Sequence, residues 1–364
     1  MRLPAPLAHA IENELSQFDR RALARAVEEL SASYRTPPKG AHLSASFINS
    51  ASFINNDLQR AAYLLTRVPA TYAAVYAVLG EVKDRIPALE VRSLLDLGAG
   101  PGTAMWAAAE IFGELEKVTL IERSSSFIRL GQKFASAAPA TMQNARWVEA
   151  DLEREGQFPT SDLVIVSYAL GELAPGRRNP LLTSAWQAAA KAIAVIEPGT
   201  PRGFAVVIQA RDTLLEQRAH LVAPCPHERQ CPMELQSQRS TAEDGCATQA
   251  SPRRQDAKVQ PDWCHFAQRL ERTSLHRRLK AGELGYEDEK FSYIAAAKQD
   301  VAQARARVIR HPIQLKGHIK LELCTPEGLQ QQTVTRSQGE AFKAARKVKW
   351  GDEWKRSRDE RPNT

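Results

Sequence analysis

The strongest constraint on this 364-residue chain is an alternation of short apolar runs with helical patterns, organised around Asp96-Leu97-Gly98-Ala99-Gly100-Pro101-Gly102. Ser93-Leu94-Leu95-Asp96-Leu97 has the length and apolarity of a buried strand, and an Ala-rich helical pattern at 103–111 follows the glycine loop. Further strand patterns fall at 117–121, 145–149, 162–166 and 203–208, with helical patterns at 124–137 and 180–194 between them. Strands that are apolar on both faces belong to a parallel sheet covered by helices on both sides.

The chemistry at the strand ends narrows the ligand. Gly98 and Gly100 let backbone approach a ligand where a Cβ would collide. A dinucleotide loop must receive a pyrophosphate, and Asp96 next to the loop is an awkward neighbour for one. It suits the ammonium of S-adenosylmethionine (SAM). Glu122, at the end of the second strand, is placed for the ribose hydroxyls, and Asp151, after the third, for the adenine amino group. The expected cofactor site is therefore Asp96, Gly98, Ala99, Gly100, Gly102, Glu122, Asp151 and Ser167. The fold class expected is α/β, a Rossmann-like SAM-dependent methyltransferase core. The fourth strand ends in Ser167-Tyr168-Ala169-Leu170-Gly171-Glu172-Leu173, without the Asn/Asp-Pro-Pro-Tyr pattern that grips an amine, and no general base is evident. Turnover is left open, and no catalytic residue is assigned.

Around this core the sequence divides into a helical N-terminal region (1–90), the SAM-binding core (91–210), a cysteine-rich insertion (211–317), a hairpin closing the core (318–340) and a basic tail (341–364). Residues 5–34 read as one helix and 57–81 as another; Pro37-Pro38-Lys39-Gly40 separates them. Residues 211–315 carry little strand character, and 235–260 are polar enough to form a mobile insertion. No apolar run reaches the roughly 18–20 residues of a membrane helix. The N-terminus has neither a signal-peptide pattern nor the acid-poor composition of a transit peptide, so the compartment expected is the cytoplasm or its organellar equivalent.

All five cysteines lie in the last 140 residues: Cys225, Cys231, Cys246, Cys264 and Cys324. An odd count without a secretion signal argues against disulfides and for a metal site. Cys246 sits in the polar stretch, where a ligand is hard to hold. That leaves Cys225, Cys231, Cys264 and Cys324, a set suited to a [4Fe–4S] cluster or structural zinc. The absence of C-x2-C knuckles tilts the choice towards iron–sulfur. His227 and His265 adjoin these cysteines as alternative ligands or supporting groups. Four buried cysteines serving only as small apolar residues are the plain alternative.

Several blocks together resemble a known family: the glycine loop at 96–102, the 167–173 segment, the pair Cys225 and Cys231, Asp262-Trp263-Cys264-His265-Phe266, Leu275-His276-Arg277-Arg278 and Tyr286-Glu287-Asp288-Glu289-Lys290-Phe291-Ser292-Tyr293. They are similar to the methyltransferase-like assembly factors of the mitochondrial small ribosomal subunit and their bacterial relatives, over residues 50–350. The resemblance implies a [4Fe–4S] cluster held by Cys225, Cys231, Cys264 and Cys324, and small-subunit rRNA as the partner, with or without methylation. Arg67, in Arg67-Val68-Pro69-Ala70-Thr71-Tyr72, is implied near the methionine carboxylate or in a packing role. A non-enzymatic rRNA-binding factor and a small-molecule methyltransferase with a zinc module stand as alternatives.

Charge points the same way. The net charge is +7, and residues 261–364 hold 21 Lys/Arg against 14 Asp/Glu, while the first 260 are balanced. With the resemblance, Arg305, Arg307, Arg310, Lys316 and Lys320, and Lys343, Arg346, Lys347, Lys349, Lys355 and Arg356 in the tail, are expected to meet rRNA phosphates.

Overall fold

The computed structural model describes residues 1–35, 56–234, 262–272 and 285–355. Its centre is an eight-stranded sheet in the order β3-β2-β1-β4-β5-β8-β6, with β7 paired to β8. The strands are β1 (Ser93–Leu97), β2 (Lys117–Glu122), β3 (Arg146–Glu149), β4 (Ser161–Ser167), β5 (Ala189–Pro198), β6 (His220–Ala223), β7 (Phe266–Glu271) and β8 (Tyr286–Ala297). β1 to β5 pair in parallel. β8 runs antiparallel to β5, β6 and β7. The parallel part has the doubly wound Rossmann-like order, which reverses direction between β1 and β4; ligands of such sheets bind at that switch point, outside the strands' carboxyl ends.

Side chains alternate across the sheet, and the two faces have separate cores. Leu94, Ile165 and Ala194 face α3 (Asp57–Arg85) and α4 (Thr103–Ile111). Leu95, Leu97, Val164, Val166 and Val195 face α7 (Pro175–Ala188) and α8 (Pro201–Glu216). Helices α5 (Ser125–Ala135) and α6 (Ala140–Gln143) connect β2 to β3. α3 has the length and hydropathy of a membrane span, but 78% of that stretch is buried within the protein, as in a core helix.

The N-terminal helix expected over 5–34 is two helices, α1 (Ala5–Leu15) and α2 (Arg20–Arg35). Asp19 starts the second, its Oδ1 accepting the Ala22 N–H at 2.9 Å. The break accounts for the apolar stripe shifting by one position. A larger correction concerns 180–208. Residues 189–194, expected as helix, begin β5, and 203–208, expected as strand, lie inside α8. β5 is covered on both faces, so its apolar run has no period to distinguish it, and its alanines mimic a helix former. The missed marker was Thr200-Pro201: Thr200 Oγ1 accepts the Gly203 N–H at 3.1 Å, and Pro201 takes the first helical turn.

Strand character is also richer after residue 211 than expected. β6, β7 and β8 belong to the main sheet, and β8 is one of its longest strands. The hairpin at 318–335 does not close that sheet. β11 (His318–Thr325) and β12 (Gly328–Thr335) form a second sheet with β10 (Ile313–Leu315) and β9 (Arg307–Val308). Its own small core includes Val308, Leu321, Leu323, Val334 and Trp354, backed by α9 (Glu340–Ala345). The segments 37–40, 235–260 and 275–278 lie outside the described residues.

Two glycines test this packing in opposite directions. A Cβ on Gly203 would meet the Pro198 carbonyl oxygen at 2.0 Å, whereas one on Gly80, inside α3, would meet nothing within 4 Å. Gly203→Ala should destabilise the fold by roughly 1–3 kcal/mol. Gly80→Ala should stabilise it by about 0.5–1 kcal/mol. Thermal unfolding of the two variants checks both signs.

Candidate functional site

The glycine loop opens a cleft at the switch point, but its backbone donors are already engaged. The N–H groups of Gly98 and Ala99 both donate to the Ile121 carbonyl, at 2.9 and 3.0 Å, and Gly102 donates to Ala99 at 2.8 Å. The Gly100 N–H donates to Glu122 Oε2 at 2.8 Å. The loop therefore offers no cradle of N–H groups to a pyrophosphate. The glycines are required by space instead. With φ near +75°, Gly98 lies where a Cβ would fall 2.5 Å from Ala169 Cβ; at Gly102 it would press on the Trp147 ring at 3.0 Å.

Of the residues expected to bind cofactor, Gly98, Ala99, Gly100, Glu122, Asp151 and Ser167 line this one cleft. Gly102 packs beneath Trp147, and Asp96 lies fully buried behind the lining. Neither carboxylate oxygen of Asp96 has a hydrogen-bond partner. Burial, and then the neighbouring charge of Glu122, push its pKa up to about 8. Burial also raises Glu122, opposed by N–H bonds from Ser124 and Gly100. Asp151 Oδ1 accepts the Glu153 N–H at 3.0 Å.

Around Arg67, which the sequence did single out, the structure adds residues that it did not. Tyr168, at the end of β4, has φ of 56°, a strained left-handed conformation for a non-glycine residue. Its hydroxyl donates to Glu289 Oε1 at 3.0 Å, and Arg67 Nη2 donates to the same oxygen at 3.3 Å. Arg67 thus lines the cleft paired to β8, 5.3 Å from the Tyr168 ring centroid. Glu172 also lines it, 3.6 Å from Arg123, and burial holds its carboxyl well above the usual range. Behind it Glu197 accepts the Gly171 N–H at 2.9 Å and is pushed up to about 7 by burial. With so many buried carboxyl groups, the cleft favours a cation. A position near the end of an apolar strand was the sequence signal for Glu197, lost when the start of β5 was read as helix.

The four cysteines selected from the sequence line a second cavity, together with Tyr293 and Ile294 of β8. Cys225 and Cys231 follow β6, Cys264 precedes β7 and Cys324 lies on β11. Cys324 Sγ is 3.8 Å from His227 Nε2. Burial raises the thiols of Cys231, up to about 11, and of Cys264 and Cys324, each then reinforced by other cysteines. Among the described residues, no three His, Cys, Asp or Glu side chains converge as one metal ion requires. His265 lies between the Trp263 and Trp350 rings, centroids 5.1 and 4.9 Å away. Cys246 falls outside the described residues.

The basic end divides. Arg305, Lys316, Lys320, Lys343, Arg346, Lys347, Lys349 and Lys355 are exposed on or beside the second sheet. Arg307, expected to meet phosphate, is instead 1% exposed and held by Glu81, Pro224 and Gly351. Arg310 pairs with Asp262. Arg356 lies outside the described residues.

Comparison with known proteins places the chain. The family described as "Mitochondrial small ribosomal subunit Rsm22" matches residues 57–355. The human protein named ribosome assembly protein METTL17, mitochondrial, is 24% identical over 311 residues, covering 80% of this chain and 61% of that one. The Schizosaccharomyces pombe protein named Rsm22-cox11 tandem protein 2, mitochondrial, is 26% identical over 344 residues, covering 85% of this chain and 45% of that one. This chain therefore spans about half to three-fifths of the length of these relatives. Among solved structures, magnesium protoporphyrin IX methyltransferase from Synechocystis aligns at a TM-score of 0.39 and 12% identity, covering 69% of this chain and 95% of that one. With residues 57–355 matched, the chain belongs to the Rsm22 family of the mitochondrial small ribosomal subunit.

Proposed function

We propose that this chain is a methyltransferase-like assembly factor of the small ribosomal subunit, with SAM in the cleft at the switch point and an iron–sulfur cluster between Cys225, Cys231, Cys264 and Cys324. The ribosomal role rests on the family match, and on relatives named as ribosome assembly proteins. Those relatives are named as mitochondrial, in keeping with the organellar of the two compartments expected.

The observation that carries the cofactor reading is Asp96, a fully buried carboxylate with both oxygens unpartnered. A buried carboxylate without a partner is costly, and the ammonium of SAM would relieve it. Glu122 and Asp151 would receive the ribose and adenine, and the loop's engaged N–H groups disfavour a pyrophosphate. SAM supplies an activated methyl group. The assembly role is preferred to methyl transfer because the side chain at the end of β4, Tyr168, has its hydroxyl committed to Glu289. Methylation of rRNA is the second reading, favoured by the presence of Glu172 in the same cleft.

Four thiols around one cavity fit a metal centre. Thiolates on one zinc ion, with bonds of about 2.3 Å, must converge on a single point. A cluster interposes iron and sulfide and holds its thiolates further apart. Since no three of these side chains converge on one point among the described residues, the cluster is preferred to zinc. It would join the loop after β6 and the start of β7 to β11 of the second sheet.

Three outcomes follow. Binding of cationic SAM should draw the proton from Asp96, whose pKa of about 8 leaves it protonated near neutrality. Affinity should therefore rise with pH, by up to about tenfold per unit between pH 6 and 7, where the ligand's ammonium stays charged. Asp96→Asn should flatten this slope and weaken binding by about 1.5–3 kcal/mol. Calorimetry that finds tight NAD binding, or no SAM binding by the unaltered protein, refutes the reading.

Anaerobically purified protein should contain iron and acid-labile sulfide. Serine at position 225, 231, 264 or 324 should abolish the visible absorption, and Cys246→Ser should leave it unchanged. One zinc per chain without iron would reject the cluster.

Binding to small-subunit rRNA should weaken with salt, with a log–log slope of roughly −0.7 to −0.9 per phosphate contacted. Reversing Lys347 and Lys349 to Glu should make the slope shallower by about two contacts and leave SAM affinity unaltered. Filter binding against random RNA of equal length is the comparison; equal affinity for both would remove the ribosomal reading.

A further inference from the structure

The wall of the cysteine cavity holds two buried cations that the sequence did not assign to it. Arg211, on α8, and Arg307, on β9, both line the cavity with the four cysteines. They are 2% and 1% exposed. Much of the remaining wall is apolar, including Phe204, Val207, Ile294 and Ile309.

Each guanidinium is fixed by the loop that carries the first two cysteines. Arg211 Nη2 donates to the carbonyls of His227, at 3.4 Å, and Arg229. Both lie between Cys225 and Cys231. Arg307 Nε donates to the Pro224 carbonyl at 3.0 Å, one residue before Cys225. Each also has one carboxylate, Asp212 at 3.1 Å and Glu81 at 2.6 Å, whose side chains are 50% and 32% exposed and so partly screened by water. Each keeps one buried N–H donor without a partner: Arg211 Nε and Arg307 Nη2.

Neutral thiols in an apolar wall give no reason to bury two permanent cations beside them. A metal–thiolate centre does. Four thiolates outweigh the positive core of a [4Fe–4S] cluster, so the assembled centre is an anion, and a buried anion needs a compensating charge. Arginine supplies one that does not titrate, with N–H groups able to reach sulfur.

We propose that Arg211 and Arg307 are the counter-charges of the cysteine-bound centre, each donating its free N–H to the thiolate or sulfide sulfurs, and that they position the Cys225–Cys231 loop while doing so. The proposal rests on the metal-centre reading. Positive charge and hydrogen bonds at the sulfurs favour the more reduced cluster, so the pair raises its reduction potential. One cation comes from the main domain's helix and one from the second sheet, so the charge balance is complete only when the two are apposed.

The test uses the full-length protein purified anaerobically with its cluster, compared with Arg211→Gln, Arg307→Gln, Arg211→Lys, Arg307→Lys and, as a control at an exposed position outside the cavity, Lys117→Gln. Iron and sulfide content, the midpoint potential from a spectroelectrochemical titration and the rate of cluster loss to a chelator are read for each. The glutamine variants should show a more negative potential and lose the cluster about tenfold faster or more. Arg211→Lys and Arg307→Lys should restore much of both, and Lys117→Gln should match the unaltered protein. Glutamine variants that keep cluster, potential and chelator rate overturn the proposal while leaving the cluster intact. An unaltered protein holding neither iron nor zinc on its four cysteines overturns the metal reading, and this proposal with it. Should the glutamine variants unfold, the lysine variants decide. Loading with a near-normal potential supports the charge role; folded lysine variants that bind no metal refute it.

Discussion

The antiparallel ladder between β5 and β8 is the constraint on which both candidate sites depend. It runs from Ala192 opposite Ala297 to Pro198 opposite Phe291. β8 is paired on its other side by β6 and β7, so no edge of it is free along most of its length. One strand then reaches both sites. Glu289, towards its start, takes hydrogen bonds from Tyr168 and Arg67 at the cofactor cleft. Further along, Ser292 donates to the Cys264 carbonyl at 2.8 Å, and Tyr293 lines the cysteine cavity. A displacement of β8 by one residue would turn Glu289 to the opposite face and exchange Tyr293 for its neighbour Ser292 or Ile294. The register of this ladder thus fixes the cleft and the cavity together.

What the sequence made legible follows from how locally each feature is specified. β1 to β4 and the glycine loop were readable because each apolar run is bounded by charged or turn residues, and because a glycine forced by close packing leaves a mark in the sequence. β5 and α8 were exchanged because a fully buried strand has no period, and its alanines favour a helix when packing is unknown. β8 was hidden for a different reason. Its first residues, Tyr286-Glu287-Asp288-Glu289-Lys290, are charged, and they are strand only because β7 pairs with them. The carboxylates were recognisable as strand ends, whereas the engagement of the loop's N–H groups depends on Ile121 and Glu122 arriving from β2, which no single segment specifies.

The electrostatics of the cleft also arise from tertiary placement. Asp96, Glu122, Glu172 and Glu197 come from four places in the chain, and burial raises every one of them. Such a group cannot all ionise at once in the empty cleft, since each charge opposes the others at low effective dielectric. A cationic ligand changes that balance by releasing protons from the carboxyl nearest to it. The backbone donors stabilise Glu122 and Glu197 as acceptors, while Asp96 is left with none. The protein's own N–H groups therefore hold two of these acids and leave Asp96 without a donor.

The second cavity applies the opposite electrostatics in the same sheet. There the wall holds guanidinium groups and thiols, and burial disfavours the thiolate form. Arg307 shows why this lobe cannot be a passive appendage. Its guanidinium joins Glu81 of α3, the Pro224 carbonyl beside Cys225 and the Gly351 carbonyl that follows the second sheet. Four chain segments that are distant in sequence meet at one buried cation. Removing it leaves Glu81 and two carbonyls without their donor, in addition to any charge lost at the cysteines. An arginine that looked, in sequence, like part of a basic surface is the hinge-pin between the two sheets, because β9 turns it inward while its neighbour Arg305 stays exposed.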